Sequence, residues 1–301
     1  MDTATTFGER AEQYLCEIST RKRINTLASY RSYLRNRIIP AIGGVKLGDV
    51  KNGTAKQLAR CLAEAGLSPA TIRFAVTVVI SVMDSILDTE GQRVYPTAWN
   101  WDFILGDVPE VDPVAPVATL EAISQAISAA PVEGKALIAL LAGSGLRIGE
   151  ALALKGQDDG GANLWDPEKG TIQVRATRVR GGVIQPMPKT KAGNRVVDLD
   201  PALNCFLKST LGDLKYPQGL LFPKSGVAYA NMFKSVGLDG GFHSLRRARE
   251  TYLEAQGVPR MLMKFWTGHA AGDITERYIK FGPQVEERRQ MAFKAGLGFA
   301  L

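Results

Sequence analysis

"KALIALLAGSGLRIGEALALK", residues 135–155, decides the fold, because its three glycines admit two incompatible readings. Gly143, Gly145 and Gly149 loosely resemble the glycine loop that cradles a dinucleotide, which must follow a β-branched strand. The spacing here is G-x-G-x-x-x-G rather than G-x-G-x-x-G, and the preceding "KALIALLA" is rich in Ala and Leu. Those residues favour helix, so the stretch reads as helical and the dinucleotide reading falls. Ser144 is then placed to cap a helix whose first turn contains Arg147, where a guanidinium and free backbone N–H groups converge on one anion. Taken alone, Arg147 reads as a surface ion-pair residue.

Upstream, the first hundred residues carry helical patterns. "SPATIRFAVTVVISVMDSIL" (68–87) offers Ser68 as N-cap, Pro69 at the first helical position, and Ile72, Val76, Val79, Met83 and Ile86 at three-to-four spacing. "TRKRINTLASYRSYLRNRIIPAIGG" (20–44) puts Leu27, Tyr30, Leu34 and Ile38 on one stripe, leaves Arg31, Arg35 and Arg37 largely off it, and is expected to end at Pro40 and Gly43-Gly44. From Ile18 to Arg73 there are 11 Lys/Arg against two acids, whereas Asp84 to Asp112 holds seven acids and only Arg93. One part of this half is built to meet negative charge, and a nucleic-acid backbone is the commonest such surface. Arg21, Lys22, Arg23, Arg31, Arg35 and Arg73 are its candidate DNA contacts.

Pro109, Pro113 and Pro116 fall within eight residues between helical patterns, as in an extended linker. The domain expectation is therefore a helical domain at 1–108, a linker at 109–118, and a second domain at 119–301. In the second domain the hydrophobic period changes. "GTIQVRATRV", "GVIQPM" and "RVVDL" are short, β-branched and bounded by Gly-Gly or by the Pro-Lys-Thr-Lys-Ala-Gly turn, which predicts a small antiparallel sheet. "LEAISQAISAA", "PALNCFLKSTL" and "SLRRARETYLEAQG" read as helices, the last stopped by Gly257. The fold class expected is mainly α with a small antiparallel β-sheet.

Composition narrows the function. The chain has 301 residues, a net charge of +7 and a pI near 9.3, which favour an anionic partner. Cys16, Cys61 and Cys205 lie far apart, and two histidines leave no C-x-x-C or H-x-x-x-H spacing, which argues against a disulfide framework or a zinc site. No apolar run reaches the roughly 18–20 residues of a membrane span, and "MDTATTFGER" lacks the basic and apolar regions of a secretory signal. An intracellular, cytoplasmic location is expected.

Both histidines lie in stretches that also hold arginine. In "GFHSLRRARETYL" (241–253), His243 and Arg246 are three apart at a helix start and can reach one ligand together. In "WTGHAAGDITERYIKFG" (266–282), His269 precedes a helix start signalled by Asp273 and Glu276, with Tyr278 in its second turn. Each feature alone is explained by capping, solvation or packing.

Taken in order, "SGLRIGEAL", "PKTKAGNRVVDL", "HSLRR", "TGH" and Tyr278 resemble the signature of the tyrosine recombinase (phage integrase) family. "TLASYRSYLRNRIIPAIG" and "LSPATIRFAVTVV" are similar to its helical core-binding domain, so the resemblance covers nearly the whole chain. It implies a core-binding domain followed by a mixed α+β catalytic domain, the two holding duplex DNA between them, and no room for a separate arm-binding domain before them. It implies that Arg147 and Arg246 clamp the scissile phosphate, that His243 and His269 bond it or handle protons, and that Tyr278 is the nucleophile. Lys189 falls at the general-acid position, with Lys191 the alternative, and Glu150 at a supporting one. No cofactor is implied, since two guanidiniums can hold the charge a metal would otherwise meet. The implied assembly is a homo-tetramer on DNA, with accessory proteins possible, and the C-terminal stretch after Tyr278 docking on a neighbour, the alternative being that it folds back on its own domain. Two other activities share this sequence pattern: a type IB topoisomerase-like nicking-closing enzyme, and a DNA-binding regulator without catalysis.

Overall fold

The computed structural model describes residues 5–108, 115–186, 194–212, 219–269 and 284–301. The chain divides into two compact units, Met1–Val114 and Ala115–Leu301.

The first unit is helical among its described residues: α1 (Phe7–Ile18), α2 (Ile24–Tyr33), α3 (Ile39–Ile42), α4 (Asn52–Glu64), α5 (Pro69–Asp84) and α6 (Trp101–Leu105). In α5 the Ser68 hydroxyl accepts the N–H of Thr71, and Ile72, Val76, Val79 and Met83 are wholly buried. The stripe on α2 continues through Leu34 and Ile38, also wholly buried. Its helix does not stop at Pro40. Pro40 has no N–H to give back along the helix, and the chain widens to a π turn over Leu34–Ile38, with the Ile39 N–H reaching Leu34 O, before α3 carries on to Ile42.

In the second unit, α7 (Leu120–Ala129) leads to α8 (Val132–Ser144), whose residues Ala136 to Leu141 are all buried. A helix apolar on every side belongs at the centre of a core. Around it pack α7, α10 (Pro201–Leu211), α11 (Gly226–Ser235) and α12 (Phe242–Ala255), with α13 (Arg260–Thr267) against α12. Asp200 caps α10 and Pro201 opens it.

The strands are β1 (Leu154–Lys155), β2 (Asn163–Asp166), β3 (Thr171–Val174), β4 (Ala176–Arg178), β5 (Ile184–Pro186) and β6 (Arg195–Asp198). Four form a sheet in the order β1-β2-β3-β6, and β4 pairs with β5 as a separate hairpin. The purely antiparallel expectation is corrected: β1 and β2 run parallel, so the sheet is mixed. "GTIQVRATRV" is also two strands rather than one. The buried Asn163 explains the break, because its Oδ1 accepts the N–H of Arg175 and Ala176, ending β3's ladder, while its Nδ2 donates to Glu150 O and Ala176 O.

In the single chain residues 284–301 close onto their own unit, as the alternative to docking on a neighbour expects. In the helix Val285–Ala295, Arg288, Ala292 and Ala295 are buried. Arg288 donates to Asp198 at 2.7 and 3.3 Å, and Asp198 also accepts Trp266 Nε1 at 2.8 Å. Leu297 joins the core, Gly296 O accepts from Arg249, and Ala295 O from the Tyr252 hydroxyl. Leu297 is thus covered within the chain, whereas Phe293 is 69% exposed.

Candidate active site

Arg147, Arg246 and His269, more than a hundred residues apart in sequence at the extremes, meet at the ends of two helices that stop in the same way. Gly145 ends α8 at φ 68° and Gly268 ends α13 at φ 69°, a left-handed conformation that side chains other than glycine resist. Each of these glycines leaves its carbonyl free of the helix, and each carbonyl takes an arginine from the other side. Arg246 Nη1 donates to Gly145 O at 2.7 Å, and Arg147 Nη2 donates to Gly268 O at 3.3 Å. The helix ends thus orient the two guanidiniums.

Arg246 lies in the first turns of α12, its side chain 5% exposed. A second Nη2 bond goes to Thr267 O at 2.7 Å, and the same nitrogen lies 2.9 Å from His269 Nε2. Burial, then the charge of Arg147, lowers its pKa to about 10, so it stays protonated at neutral pH. The N–H groups of both Gly268 and His269 bond Lys264 O, which fixes the turn that carries the imidazole.

Ser144 corrects its expected role. It is the last residue of α8, its hydroxyl donating to Leu140 O, and Arg147 itself is the N-cap of the short helix α9 (Ile148–Ala151). The backbone N–H of Arg147 is taken by Glu150 Oε2 at 2.9 Å, so the anion-meeting group here is the guanidinium rather than that N–H. Glu150 also accepts Arg147 Nη1 at 3.1 Å.

Behind them, Arg195 on β6 gives Nη1 and Nη2 to the two oxygens of Glu150 and Nε to Trp266 O at 2.7 Å. Burial would raise the Glu150 pKa, but the bonds from Arg195 and from Arg147 outweigh it and hold it below the ordinary value. Sequence reasoning quoted Arg195 within its motif without giving it a task. The available signal was an arginine at an inward-facing register position of a short apolar strand.

His243 stands in the first turn of α12 with its side chain exposed. Loss of water, then Arg246, Arg247 and Arg147, lower its pKa, and loss of water followed by Arg246 does the same to His269. These shifts favour the neutral form of both imidazoles. Lys189, Lys191 and Tyr278, with Asp273 and Glu276, lie outside the described residues. Among the described residues no group of His, Cys, Asp and Glu is arranged to hold a metal ion.

In the first unit, Arg21, Lys22, Arg23, Arg31, Arg35 and Arg73 are all exposed. Arg35 bonds Glu12 through Nε at 3.0 Å and Nη2 at 2.8 Å, and Arg73 lies 5.5 Å from the Trp101 ring centre. Arg37 sits 4.6 Å from the Tyr33 ring centre, so aromatic rings interleave with the basic face. Among the described residues no helix is long and apolar enough to cross a membrane.

The family described as phage integrase, N-terminal SAM-like domain, matches residues 6–57. The fold is similar to that of the Tn1549 transposon integrase in complex with a circular intermediate DNA, at 21% identity and a TM-score of 0.71 over 95% of this chain and 98% of that one. A lambda integrase dimer bound to a core site gives 16% identity and a TM-score of 0.56 over 88% and 96%. A lambda integrase tetramer bound to a Holliday junction gives 17% and 0.58 over 91% and 80%. No curated protein sequence matches the chain. The likeness at these identities is one of fold, and it is the fold the motif order implied.

Proposed function

We propose, from a chain with the fold of the tyrosine recombinases and the N-terminal domain of phage integrases, a site-specific DNA recombinase that cuts and rejoins strands through a covalent 3′-phosphotyrosyl intermediate. The observation that carries this reading is the convergence of Arg147 and Arg246 beside His269, each held by the terminal carbonyl of a helix.

The chemistry follows from that pairing. Attack on a phosphodiester builds charge on the nonbridging oxygens, and guanidiniums remain protonated and bind such oxygens in a fork. Tyr278 Oη forms the bond to phosphorus and loses its proton to a neutral imidazole, for which His243 and His269 are the candidates. The O5′ bond breaks, and Lys189, or Lys191, supplies the proton that O5′ takes up. One phosphodiester is exchanged for another, so rejoining needs no nucleotide cofactor.

In this reading 1–108 is the core-binding domain, 109–118 the linker and 119–301 the catalytic domain, working as a homo-tetramer on two duplexes in the cytoplasm. Arg21, Lys22, Arg23, Arg31, Arg35 and Arg73 supply backbone contacts in the core-binding domain. A suicide substrate nicked near a candidate site tests the reading. A covalent adduct followed by a joined recombinant strand supports it. Relaxation of supercoiled DNA without recombinants points to a topoisomerase-like enzyme, and binding without an adduct to a regulator.

A further inference from the structure

Glu250 has no counterpart in the motifs that carry the functional reading, yet it reaches the centre of the site. It stands one helical turn after Arg246 on α12, so the two side chains share a face. Its Oε1 is shut off from solvent and lies 3.2 Å from Arg246 Nε and 3.8 Å from His269 Nε2, hydrogen-bonded to neither. The oxygen is thus paired in charge with Arg246 but takes no hydrogen bond, which leaves it open to a further donor.

The donor pattern around His269 supplies one. A guanidinium has only N–H groups, so in the 2.9 Å contact with Arg246 Nη2 the imidazole Nε2 must be the acceptor, leaving the ring neutral with its proton on Nδ1. If Nε2 gains a proton, two donors face each other and that bond is lost. Among the described residues the nearest anion is then Glu250 Oε1, 3.8 Å away. Arg246, Arg147 and Arg195 bear on His269 as cations, and Glu150 is committed to Arg147 and Arg195. In the cleft beside the ring, Arg247, Arg260 and Lys264 face Glu250 and Glu254, with Glu254 paired to Arg260 at 3.6 Å. Among the described residues, Glu250 is the carboxylate placed to answer the imidazolium.

We propose that Glu250 is a positioning residue, its buried oxygen steadying the Arg246 guanidinium and receiving the His269 ring once that ring is protonated. Arg246 and Glu250 are thus alternative partners of one histidine. The proposal rests on the recombinase reading for its purpose. There, the proton that leaves the Tyr278 hydroxyl as its oxygen bonds to phosphorus passes to Nε2, the bond from Arg246 breaks, and the new N–H donates to Glu250. Arg246 is freed for the phosphate at the moment charge builds there.

With two histidines in the chain, ring NMR of the full protein without DNA gives two titrating signals, assigned by a His243→Gln variant. Loss of the carboxylate in Glu250→Gln should lower the His269 midpoint by on the order of one pH unit and move His243 less, while Glu250→Asp, which keeps the charge, should retain most of the wild-type midpoint. A His269 midpoint in Glu250→Gln that moves no more than that of His243 overturns the proposal, as does a midpoint in Glu250→Asp equal to that in Glu250→Gln. On a suicide substrate, Glu250→Gln should cleave about tenfold more slowly with DNA affinity within about twofold of wild type, and the acid limb of its rate profile should move to lower pH. An unchanged cleavage rate and profile overturns the catalytic purpose. An adduct that survives Tyr278→Phe sinks the recombinase reading and leaves the NMR result standing.

Discussion

Arg195 Nη1 and Nη2 meet the two carboxylate oxygens of Glu150 at 3.1 and 2.9 Å, and both side chains are 1% exposed. Removing one member strands the other as a buried charge, so Glu150→Ala or Arg195→Ala should each cost about 3–5 kcal/mol in chemical denaturation. Replacing both by apolar residues, as in Glu150→Leu with Arg195→Met, should restore stability to within about 1–2 kcal/mol of wild type. That double variant should still cleave about a hundredfold more slowly, because Arg147 has lost the group that aims it. Wild-type cleavage in the double variant would show the pair to be structural only.

The acid response should come in two steps. His243 and His269 are held below the ordinary value of 6.5, so below it the unfolded chain binds more protons than the folded one. Stability should fall as pH drops through about 6.5 and below. Glu150 is depressed from 4.5, so its contribution is complete above that value and is lost as pH falls through its lower folded value. Denaturant midpoints measured from about pH 8 down to about pH 2.5 should show both steps, and His243→Gln with His269→Gln should remove the upper one. A midpoint flat between pH 7 and 5.5 in wild type contradicts the assignment of neutral imidazoles.

The buried bond between Arg288 and Asp198 ties the tail into the second unit. Arg288→Ala leaves Asp198 with Trp266 Nε1 as its remaining side-chain donor, and should destabilise the protein by about 3–5 kcal/mol. Truncation after Gly282 removes Ala292, Ala295 and Leu297 from the core and should expose apolar surface, read as dye binding and lower melting temperature. A truncated protein as stable as the full chain would return the tail to a role between copies.

DNA affinity should fall steeply with salt, but the basic residues should not count equally. Arg31→Ala should flatten the logarithmic salt slope by about 0.9. Arg35 is already met by Glu12, so Arg35→Ala should flatten it by less and Glu12→Gln should steepen it. Equal slopes in Arg31→Ala and Arg35→Ala would show that DNA displaces Glu12.

The helices were legible where local signals agree, as at Ser68 and Pro69 opening α5 and Gly257 closing α12. The π turn before Pro40 was not, because a proline announces a missing donor without saying whether the helix stops or widens. The parallel pairing of β1 and β2 joins Leu154 to Asn163 across a loop, and the break between β3 and β4 depends on the Asn163 side chain meeting backbone groups from Arg175 and Ala176, tertiary arrangements that strand periodicity does not encode. In the site, the order of motifs made Arg147, His243, Arg246 and His269 readable, whereas Arg195 and Glu250 act through neighbours distant in sequence or one helical turn away. Residues that hold others leave little pattern of their own.

In the proposed reaction Tyr278 becomes joined to DNA. The direct measurement is mass spectrometry of the peptide–oligonucleotide adduct released by protease from a reaction trapped on a suicide substrate. The account predicts a single modified peptide containing Tyr278, with the DNA attached through its 3′-phosphate, and no adduct in Tyr278→Phe although that variant still shifts the substrate in a gel. An adduct mapped to any other residue, or one formed in undiminished yield by Tyr278→Phe, would contradict it.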